Sequence, residues 1–313
     1  MAKRFAVVAV GGNALIKDNA RQSSADQYTA ASETMGYVAE MIAAGWDVVV
    51  THGNGPQVGF ALRRSELAAG ELPPVPLDVC GADTQGSIGY MFQQSLHNAF
   101  QQRGMHKDAV ALVTQCQVDR DDPAFANPTK PIGSFMDEST ALARQAEGKH
   151  VIEDAGRGWR EVVASPQPQR IVEAPAIKQL LENGLTVVAV GGGGIPVVAD
   201  DQGQLQGIAA VIDKDFASSL LAREIGAELL LISTAVEKVA IHFNTPQQKD
   251  LDRISVAEAE QYIEEGHFAK GSMLPKVQAV IRFLKGGGQQ ALITDPANIR
   301  QALAGETGTW IVP

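Results

Sequence analysis

The sequence predicts an open α/β sandwich, in which helices cover both sides of a mostly parallel sheet. Several strand-like runs, such as VVAV at 187–190 and LLLI at 229–232, are apolar throughout, which is typical of strands buried on both faces. These runs alternate along the chain with segments of helical periodicity. Glycine-rich turns follow three of the runs, at the sheet edge where such folds bind ligands.

The alternation can be assigned element by element. Strands are predicted near 4–10, 46–51, 109–114, 185–190, 228–233 and 290–294, with a late edge strand in GTWIVP at 308–313. Helices are predicted over 24–44, 56–69, 83–103, 174–183, 214–226, 255–265 and 273–285.

One region departs from this alternation. From Val118 to about Arg170 the chain carries prolines at 123, 128, 131, 166 and 168. Within it, HVIE at 150–153 and WREVV at 159–163 flank DAGRG, a pattern that predicts a β-hairpin. We interpret the region as a small insertion projecting from the sheet. A boundary near 170–184 would then divide the chain into two α/β halves that share one sheet.

Composition limits the possible function. The chain has 313 residues and a formal net charge of −10, which argues against a nucleic-acid binder because such proteins need a basic face. An anionic substrate would have to be attracted by locally placed lysines. No stretch approaches the roughly 20 apolar residues of a membrane-spanning helix.

The N-terminal apolar run is short and β-branched, so it is interpreted as a strand rather than a signal peptide. The two cysteines, Cys80 and Cys116, have no CxxC spacing. They are expected to be small buried residues of a protein in a reducing cytoplasm.

The glycine-rich turns are the first candidate site. Each turn follows a strand and precedes a helix-like segment, where exposed N–H groups can bind an anion. One such turn is an ordinary connection, but three at one edge indicate a phosphate or polyanion site. Neither GxxxxGK[ST] nor a GxGxxG with dinucleotide-fold spacing is present, so the phosphate is handled differently. The turns are Gly11-Gly12-Asn13, Gly53-Asn54-Gly55 and Gly191–Gly194.

Three lysines complete the candidate site. Lys214 stands between Asp213, which resembles a helix N-cap, and Asp215. A lysine in the first helical turn opposes the helix dipole, and either a bound anion or the two flanking aspartates would explain its position. Lys276 also opens a helix, and Lys130 is placed rigidly between prolines of the insertion. Each alone is typical of a surface lysine, but together with the turns they form a plausible clamp for a transferring phosphoryl group.

No hydrolytic or metal-binding pattern accompanies them. The six histidines are scattered without an HExxH or HxxxH pair. His52, at a strand end before GNGPQ, is interpreted as a residue hydrogen-bonded into its turn. Ser272 and the pair Ser218-Ser219 lack nucleophile-elbow spacing.

At the level of motifs, the chain resembles carbamate kinases of the amino acid kinase superfamily. The segments that carry the resemblance follow in the same order over nearly the whole chain: AVGGNAL, THGNGPQVG, DDPAFANPTKPIG, GRGWREVVASPQP, GGGGIPVV, AVIDKD and GSMLPK. The resemblance implies a three-layer α/β/α sandwich, usually a homodimer, with a protruding subdomain at about 118–170. It also implies Mg²⁺-dependent, reversible transfer of phosphate from carbamoyl phosphate to ADP, giving ATP and carbamate. The N-terminal lobe, about 1–180, would bind carbamoyl phosphate, and the C-terminal lobe, about 181–313, the nucleotide.

The same resemblance implies a role for each motif residue. Lys214 would neutralise the phosphoryl group in flight, Asp215 would orient the lysines, and Lys276 would bind the outer phosphates of the nucleotide. Lys130 would reach the site from the subdomain. Two turns would contact the transferring phosphate (Gly11, Gly12, Asn13) and the carbamate or phosphoryl end of the substrate (Gly53, Asn54, Gly55), while Gly191, Gly192, Gly193, Gly194, Ala235 and Met273 would lie at the nucleotide.

Four positions depart from the family pattern. Ala235 and Ala240 stand where relatives carry Asp and Tyr, and Leu274 replaces the glycine of GSMGPK. Asp83 stands where an uncharged residue is common. Three alternatives therefore stay open: another phosphotransferase of the superfamily, a nucleotide- or acyl-phosphate-binding homologue without turnover, and, weakest, a NAD-dependent oxidoreductase.

Overall fold

A computed structural model of the chain describes residues 3–12, 15–16, 21–153 and 158–313. Its strands are β1 (Phe5–Val10), β2 (Asp47–His52), β3 (Ala109–Ala111), β4 (Gln115–Val118), β5 (Lys130–Met136), β6 (Val151–Glu153), β7 (Trp159–Val163), β8 (Pro168–Ile171), β9 (Thr186–Val188), β10 (Ile195–Ala199), β11 (Leu205–Gly207), β12 (Leu229–Ser233), β13 (Val239–Ile241), β14 (Lys249–Leu251), β15 (Arg253–Ser255), β16 (Gln290–Thr294) and β17 (Thr309–Val312). Its helices are α1 (Ser24–Ala43), α2 (Gly55–Ala68), α3 (Leu77–Gln102), α4 (Glu138–Ala146), α5 (Ala174–Glu182), α6 (Lys214–Ile225), α7 (Val256–Glu264), α8 (Met273–Lys285) and α9 (Ile299–Leu303).

The central sheet has the strand order β15-β17-β16-β12-β1-β2-β9-β3. Every neighbouring pair in it is parallel except β16 and β17. The mostly parallel sheet predicted from the apolar runs is therefore confirmed.

Helices cover both faces of this sheet. Val7 and Ala9 of β1 point into a core that contains residues of α5, α6 and α8. Ala6, Val8 and Val10 of the same strand point into a second core, made with α1 and α3. Because successive side chains of a strand alternate between faces, one apolar strand supplies both cores. The architecture is the three-layer α/β/α sandwich.

The predicted helices and strands are present, with some differences in bounds and one correction. The late strand β17 was predicted at the edge of the sheet, but it pairs with both β15 and β16, so β15 is the edge strand. Helix α3 begins at Leu77 rather than near 83, and Pro76 is its N-cap. Proline is tolerated at the start of a helix but not in its interior, so the helix begins directly after this residue. Strand β3 ends at Ala111, three residues earlier than the predicted run, and the chain then enters β4.

A smaller sheet, of order β11-β10-β4-β8, was not predicted. Its strands are three to five residues long, and each is too short to show a period of its own. Pairing between β4 and β10 joins residues about 80 positions apart, as in Cys116 with Pro196.

The predicted insertion contains a separate antiparallel sheet of order β5-β7-β6 with helix α4. We refer to β5, α4, β6 and β7 as the small-sheet unit. The hairpin of β6 and β7 is confirmed by pairing such as Glu153 with Trp159. Its turn, at 154–157, lies outside the described residues. The division of the chain into lobes stays a prediction.

Two further sequence-based expectations concern burial. Cys80 and Cys116 are both buried and neither forms a disulfide, as predicted for small core residues. Burial raises the pKa of each thiol. Among the described residues, no helix is long and apolar enough to cross a membrane.

Candidate active site

Two glycine turns lie side by side at the carboxyl edge of the central sheet. Gly11 follows β1, and its N–H donates to the carbonyl of Ser233 at the end of β12, with an N–O distance of 3.1 Å. Gly53 follows β2, and its N–H donates to the carbonyl of Val10 at 3.2 Å. Gly12 is exposed, with open space where a side chain would stand. Asn13, the third residue predicted in the first turn, lies outside the described residues.

Helix α6 begins at the same edge. Asp213 is its N-cap, because its carboxylate accepts from the N–H groups of Asp215 and Phe216 at 2.9 and 3.4 Å. Lys214 is the first helical residue and is buried. Its ammonium donates to the carbonyl of Ala9 in β1 at 3.1 Å, which places the charge beneath the Gly11 turn.

The three predicted lysines converge on the two aspartates that flank Lys214. Lys214 and Lys276 bind opposite oxygens of the Asp215 carboxylate, at N–O distances of 2.7 and 3.0 Å. Lys130, which begins β5 in the small-sheet unit, binds Asp213 at 2.6 Å. Four elements, β1, α6, α8 and the small-sheet unit, therefore meet at one cluster of three ammonium groups and two carboxylates.

Burial and the neighbouring charges act in opposite directions on Asp215, Lys214 and Lys276. Burial would raise the pKa of the Asp215 carboxyl, but the charges of Lys214 and Lys276 outweigh it and hold that pKa well below its usual range. Burial lowers the pKa of Lys214, with Lys276 adding to the effect and Asp215 opposing it. For Lys276, the attraction of Asp215 prevails over burial and raises the pKa. By formal count, three lysines and two aspartates leave one positive charge in excess, which suits a site for an anion.

The third glycine turn is filled by the chain itself. A Cβ on Gly191 would lie 2.4 Å from Nε2 of His52, and one on Gly192 would lie 2.3 Å from Nδ2 of Asn54. Gly193 and Gly194 are closed off similarly, by Ile212 and Cys116. All four glycines are buried, and their observed role is close packing: Gly191 and Gly192 lie against His52 and Asn54 at the second turn. Their contact with a nucleotide stays a prediction.

The turn is also strained. Val190, just before it, has φ of 54°, in the left-handed region that β-branched residues avoid. Its N–H donates to Oγ1 of Thr114 at 3.1 Å. The side chain of Gln85 links Thr114 to this turn. Its Nε2 donates to the carbonyls of Thr114 and Gly191, at 3.0 Å each, and its Oε1 accepts from the N–H of Thr114.

Sequence reasoning missed the polar residues that hold the site from α3 and β2. The side-chain amide of Asn54 donates to Oγ1 of Thr84 on α3, with an N–O distance of 2.8 Å. Gln85 follows Thr84 on the same helix. Thr51 of β2 hydrogen-bonds to Ser218 of α6 at 2.6 Å, so the Lys214 helix is tied to the sheet. Thr84 and Gln85 lie in helix α3 and Thr51 in the buried strand β2. Thr84 is 30 positions from Asn54, and Thr51 is 167 positions from Ser218. The signal in the sequence was the adjacent polar pair Thr84-Gln85 in a predicted helix, a pattern that usually indicates a solvent-exposed face.

His52 lies in the turn as interpreted, with Nδ1 at 3.1 Å from the carbonyl of Gly53. It is buried and packs edge-on against Phe92. Burial is the main cause that lowers the pKa of His52 to about 4, and Lys214 contributes. The imidazole is therefore neutral at neutral pH.

The other predicted nucleotide residues are not members of the lysine–aspartate cluster. Ala235 is exposed in the bend after β12. Met273 and Leu274 begin α8 and pack, half-buried, against the core on the α6 side. Of the remaining departures, Ala240 is buried in β13 and Asp83 is exposed on α3.

The lysine–carboxylate cluster lies at the carboxyl edge of a parallel sheet, where α/β proteins bind ligands, and its ammonium groups suit a phosphate. The family model described as "Amino acid kinase family" matches residues 4–295, and the chain belongs to that family.

Relatives narrow the class to the carbamate kinases. The chain is 54% identical to the carbamate kinase-like protein YahI of Escherichia coli, over 99% of each chain. It is 48% identical to the carbamate kinase of Pyrococcus furiosus, over the full length of both. Among solved structures, carbamate kinase from Giardia lamblia bound to citric acid superposes with a TM-score of 0.95 at 41% identity, over 99% of both chains. The same enzyme bound to AMP-PNP gives 0.91 at 41% identity, again over 99% of each.

The burial of His52 predicts a pH-dependent stability. Its pKa is about 4 in the folded chain and 6.5 in the unfolded chain, so the unfolded state takes up the proton first as pH falls. Above pH 6.5 the imidazole is neutral in both states and does not reduce the free energy of unfolding. As the pH falls from 6.5 to about 4, protonation of the unfolded chain lowers that free energy. Between about pH 7.5 and about pH 5 the loss should be about 2 kcal/mol, measured by urea unfolding.

In His52→Gln this part of the pH dependence should disappear. His106→Gln is the control, because His106 is exposed, and it should keep the wild-type dependence. Equal pH dependence in wild type and His52→Gln would contradict the assignment.

The close packing at the third turn predicts a cost for any side chain there. Gly192→Ala introduces a Cβ that overlaps Asn54 at a residue with φ of +66°. Overpacking and left-handed strain should together lower the free energy of unfolding by about 2–4 kcal/mol. Gly203→Ala has similar strain, with φ of +78°, in open space, and should lose only about 1–2 kcal/mol. Equal losses in the two variants, measured by urea unfolding, would show that the Asn54 contact is unimportant.

Proposed function

We propose that this chain is a carbamate kinase, which transfers a phosphoryl group reversibly between carbamoyl phosphate and ADP, giving ATP and carbamate. The observation that carries the proposal is the convergence of Lys130, Lys214 and Lys276 at the carboxyl edge of the sheet. Phosphoryl transfer needs little covalent help from a protein, and it depends on positioning and on stabilising charge. A fixed set of ammonium groups provides both. The names of the relatives support the same reaction.

In this proposal Lys214 acts on the phosphoryl group in flight. Its ammonium is held from two sides, by Asp215 and by the Ala9 carbonyl, so it does not need to reorganise as charge develops. Burial makes its field stronger than that of a lysine in water. Asp215 orients Lys214 and Lys276 together through its two oxygens, and so sets the spacing of the two positive charges.

The substrate end would be bound by the first two turns. Gly11, Gly12 and Asn13 would offer backbone and amide donors to the transferring phosphate. Gly53, Asn54 and Gly55 would contact the carbamate or phosphoryl end. A Cβ on Gly53 would lie 3.9 Å from Cγ of Lys214, and one on Gly55 would lie 3.7 Å from the carbonyl oxygen of Pro131, so this turn lies beside Lys214 and β5. Asn54 is held by Thr84 and fixes the turn between them.

The nucleotide would lie on the α8 side. Lys276 would bind its outer phosphates, with Met273 beside it at the start of α8. Ala235 and the turn Gly191–Gly194 would border the same space. The Giardia lamblia enzyme bound to AMP-PNP supports a nucleotide site in this fold.

Magnesium would enter with the nucleotide. Mg²⁺ prefers carboxylates together with water and substrate phosphates. Both aspartates of the cluster are ion-paired to lysines, and the described residues contain no group of three His, Cys, Asp or Glu side chains placed to hold a metal. The proposal therefore treats the ion as part of the Mg–nucleotide substrate, where it would neutralise the phosphate oxygens.

The homodimer, the two lobes and the cytoplasmic location belong to the same proposal. A contact between two copies could use the exposed apolar side chains of α2 and α3. Leu67 is 70% exposed, Leu72, just beyond α2, is 62% and Tyr90 is 61%. The two unpaired buried cysteines are compatible with a reducing compartment.

A homologue that binds nucleotide without turnover is the second candidate. Ala235 and Leu274 favour it, because both stand on the proposed nucleotide side and depart from the family pattern. None of the described cluster residues is altered, which favours catalysis. ADP binding without phosphoryl transfer would identify this second candidate.

The proposal predicts that Lys214→Ala abolishes most of the turnover. Loss of one preorganised charge of this kind costs roughly 2.7–4 kcal/mol of transition-state stabilisation, so turnover should fall by at least about a hundredfold. The measurement is ATP formation from carbamoyl phosphate and Mg–ADP, with circular dichroism to verify the fold.

Lys178→Ala, an exposed lysine on α5, is the matched control and should retain wild-type turnover. Near-normal turnover in Lys214→Ala would contradict its role. A wild-type chain that forms no ATP but binds ADP would replace the proposal with the non-catalytic homologue.

A further inference from the structure

The small-sheet unit, which carries Lys130, rests on helix α2 along one stripe of that helix. Gly55 and Gly59 are four residues apart and Glu66 follows seven later, a spacing that puts all three on one face. Each of the three faces the unit at a different height. Gly55 is also the residue that begins α2 at the substrate turn. One rigid helix therefore connects the substrate turn to the base of the unit.

At the middle of the stripe, two backbones touch. A Cβ on Gly59 would lie 2.1 Å from Cα of Gly133 in β5, so only glycine permits this approach. Gly133 has φ of +67° and lies where the pairing of β5 with β7 shifts register. Its carbonyl accepts from the Arg160 guanidinium at 3.0 Å, which fixes the irregular strand. The contact sets how close β5 lies to α2, three residues from Lys130.

At the far end of the stripe, Glu66 binds the unit through charge. One oxygen accepts from Arg144 of α4 at 2.7 Å, and the other pairs with Lys149 at 2.7 Å. Burial would raise the pKa of the Glu66 carboxyl, but its hydrogen bonds from Lys149 and Arg144 prevail and lower that pKa to about 2. The carboxylate is only 21% exposed, so the bridges are less screened than surface pairs.

A continuous set of contacts leads from Glu66 to Lys130. Lys149 also pairs with Glu161 of β7 at 3.5 Å. Glu161 is directly opposite Ile132 of β5, and Lys130 is opposite Val163 in the same ladder. Between the two ends, Ile132 packs in a small apolar core with Val58 of α2. Movement of the unit on α2 would thus displace Lys130 relative to Asp213.

We propose that α2 sets the position of Lys130 over the phosphate site, and that Glu66 is a positioning residue for Lys130. The inference rests on the proposed function for the role of Lys130, but its structural part can be tested without turnover. Glu66 pairs with neither the aspartates nor the three lysines of the site, so its effect on the site is indirect.

The test compares Glu66→Gln with Glu147→Gln. Glu147 also pairs with Arg144, at 3.4 Å, but is 63% exposed and does not bind Lys149 in this cluster. Reactivity of the Lys130 amine towards an acetylating reagent, measured by peptide mass spectrometry, should rise about threefold or more in Glu66→Gln, because a looser unit frees the amine from Asp213. It should stay at the wild-type level in Glu147→Gln. Unchanged Lys130 reactivity in a folded Glu66→Gln would overturn the inference.

Kinetics test the second part. Glu66→Gln should lower kcat by about tenfold, on the scale of a misplaced catalytic group, with little change in KM for ADP. In a Lys130→Ala background the same substitution should change kcat less than about twofold, because the group it positions is gone. Equal losses in both backgrounds would show that Glu66 acts on general stability and would overturn the inference.

Two controls separate the possible failures. Lys149→Gln removes one arm of the cluster, and it replaces Glu66→Gln in both measurements if circular dichroism shows that Glu66→Gln does not fold. If the wild-type chain forms no ATP, the proposed function fails. The Lys130 reactivity then decides the positioning inference alone.

Discussion

The bidentate pairing of Asp215 with Lys214 and Lys276 is the interaction on which the site depends. Two ammonium groups in a buried place repel each other, and burial disfavours each charged form. A single carboxylate with one oxygen for each lysine offsets both effects. Removing one member would leave unbalanced buried charge, so the three residues act as a unit. Lys214 attaches that unit to the sheet through the Ala9 carbonyl. Lys214 and Asp215 are the first two residues of α6, directly after its N-cap Asp213.

The remainder of the site is built so that this unit meets its substrate turns. Gly191 and Gly192 have no side chains, and His52 and Asn54 occupy the space. Val190, just before this turn, takes the left-handed conformation that β-branched residues avoid. The sequence predicted that Gly191–Gly194 bind a ligand, but in the structure these glycines allow close internal packing. Both uses need the same absence of Cβ, and only the neighbours distinguish them.

Lys130 belongs to a different mechanical part of the molecule. It stands on a separate sheet, supported by α2 at Gly59 and Glu66, and within the part of the chain that the structure describes its ammonium pairs with Asp213. A long flexible cation gains catalytic value only when its base is fixed. The glycine contact and the charged cluster supply that restraint at two heights. The arrangement explains why α2 begins at the substrate turn and ends beneath the small-sheet unit.

Local sequence determined the class of fold, because apolar strands and helical periodicity are written in neighbouring residues. It also marked Gly11, Gly53 and the three lysines, whose residue types suit phosphate at strand and helix ends. The sequence did not show that Asp215 binds two lysines, that Gln85 and Thr84 support the turns, or that β4 pairs with β10. These contacts join residues far apart in the chain, and no local period records them. Only the tertiary structure decided which lysines and aspartates form ion pairs, because ion pairing depends on the distance between the groups in space.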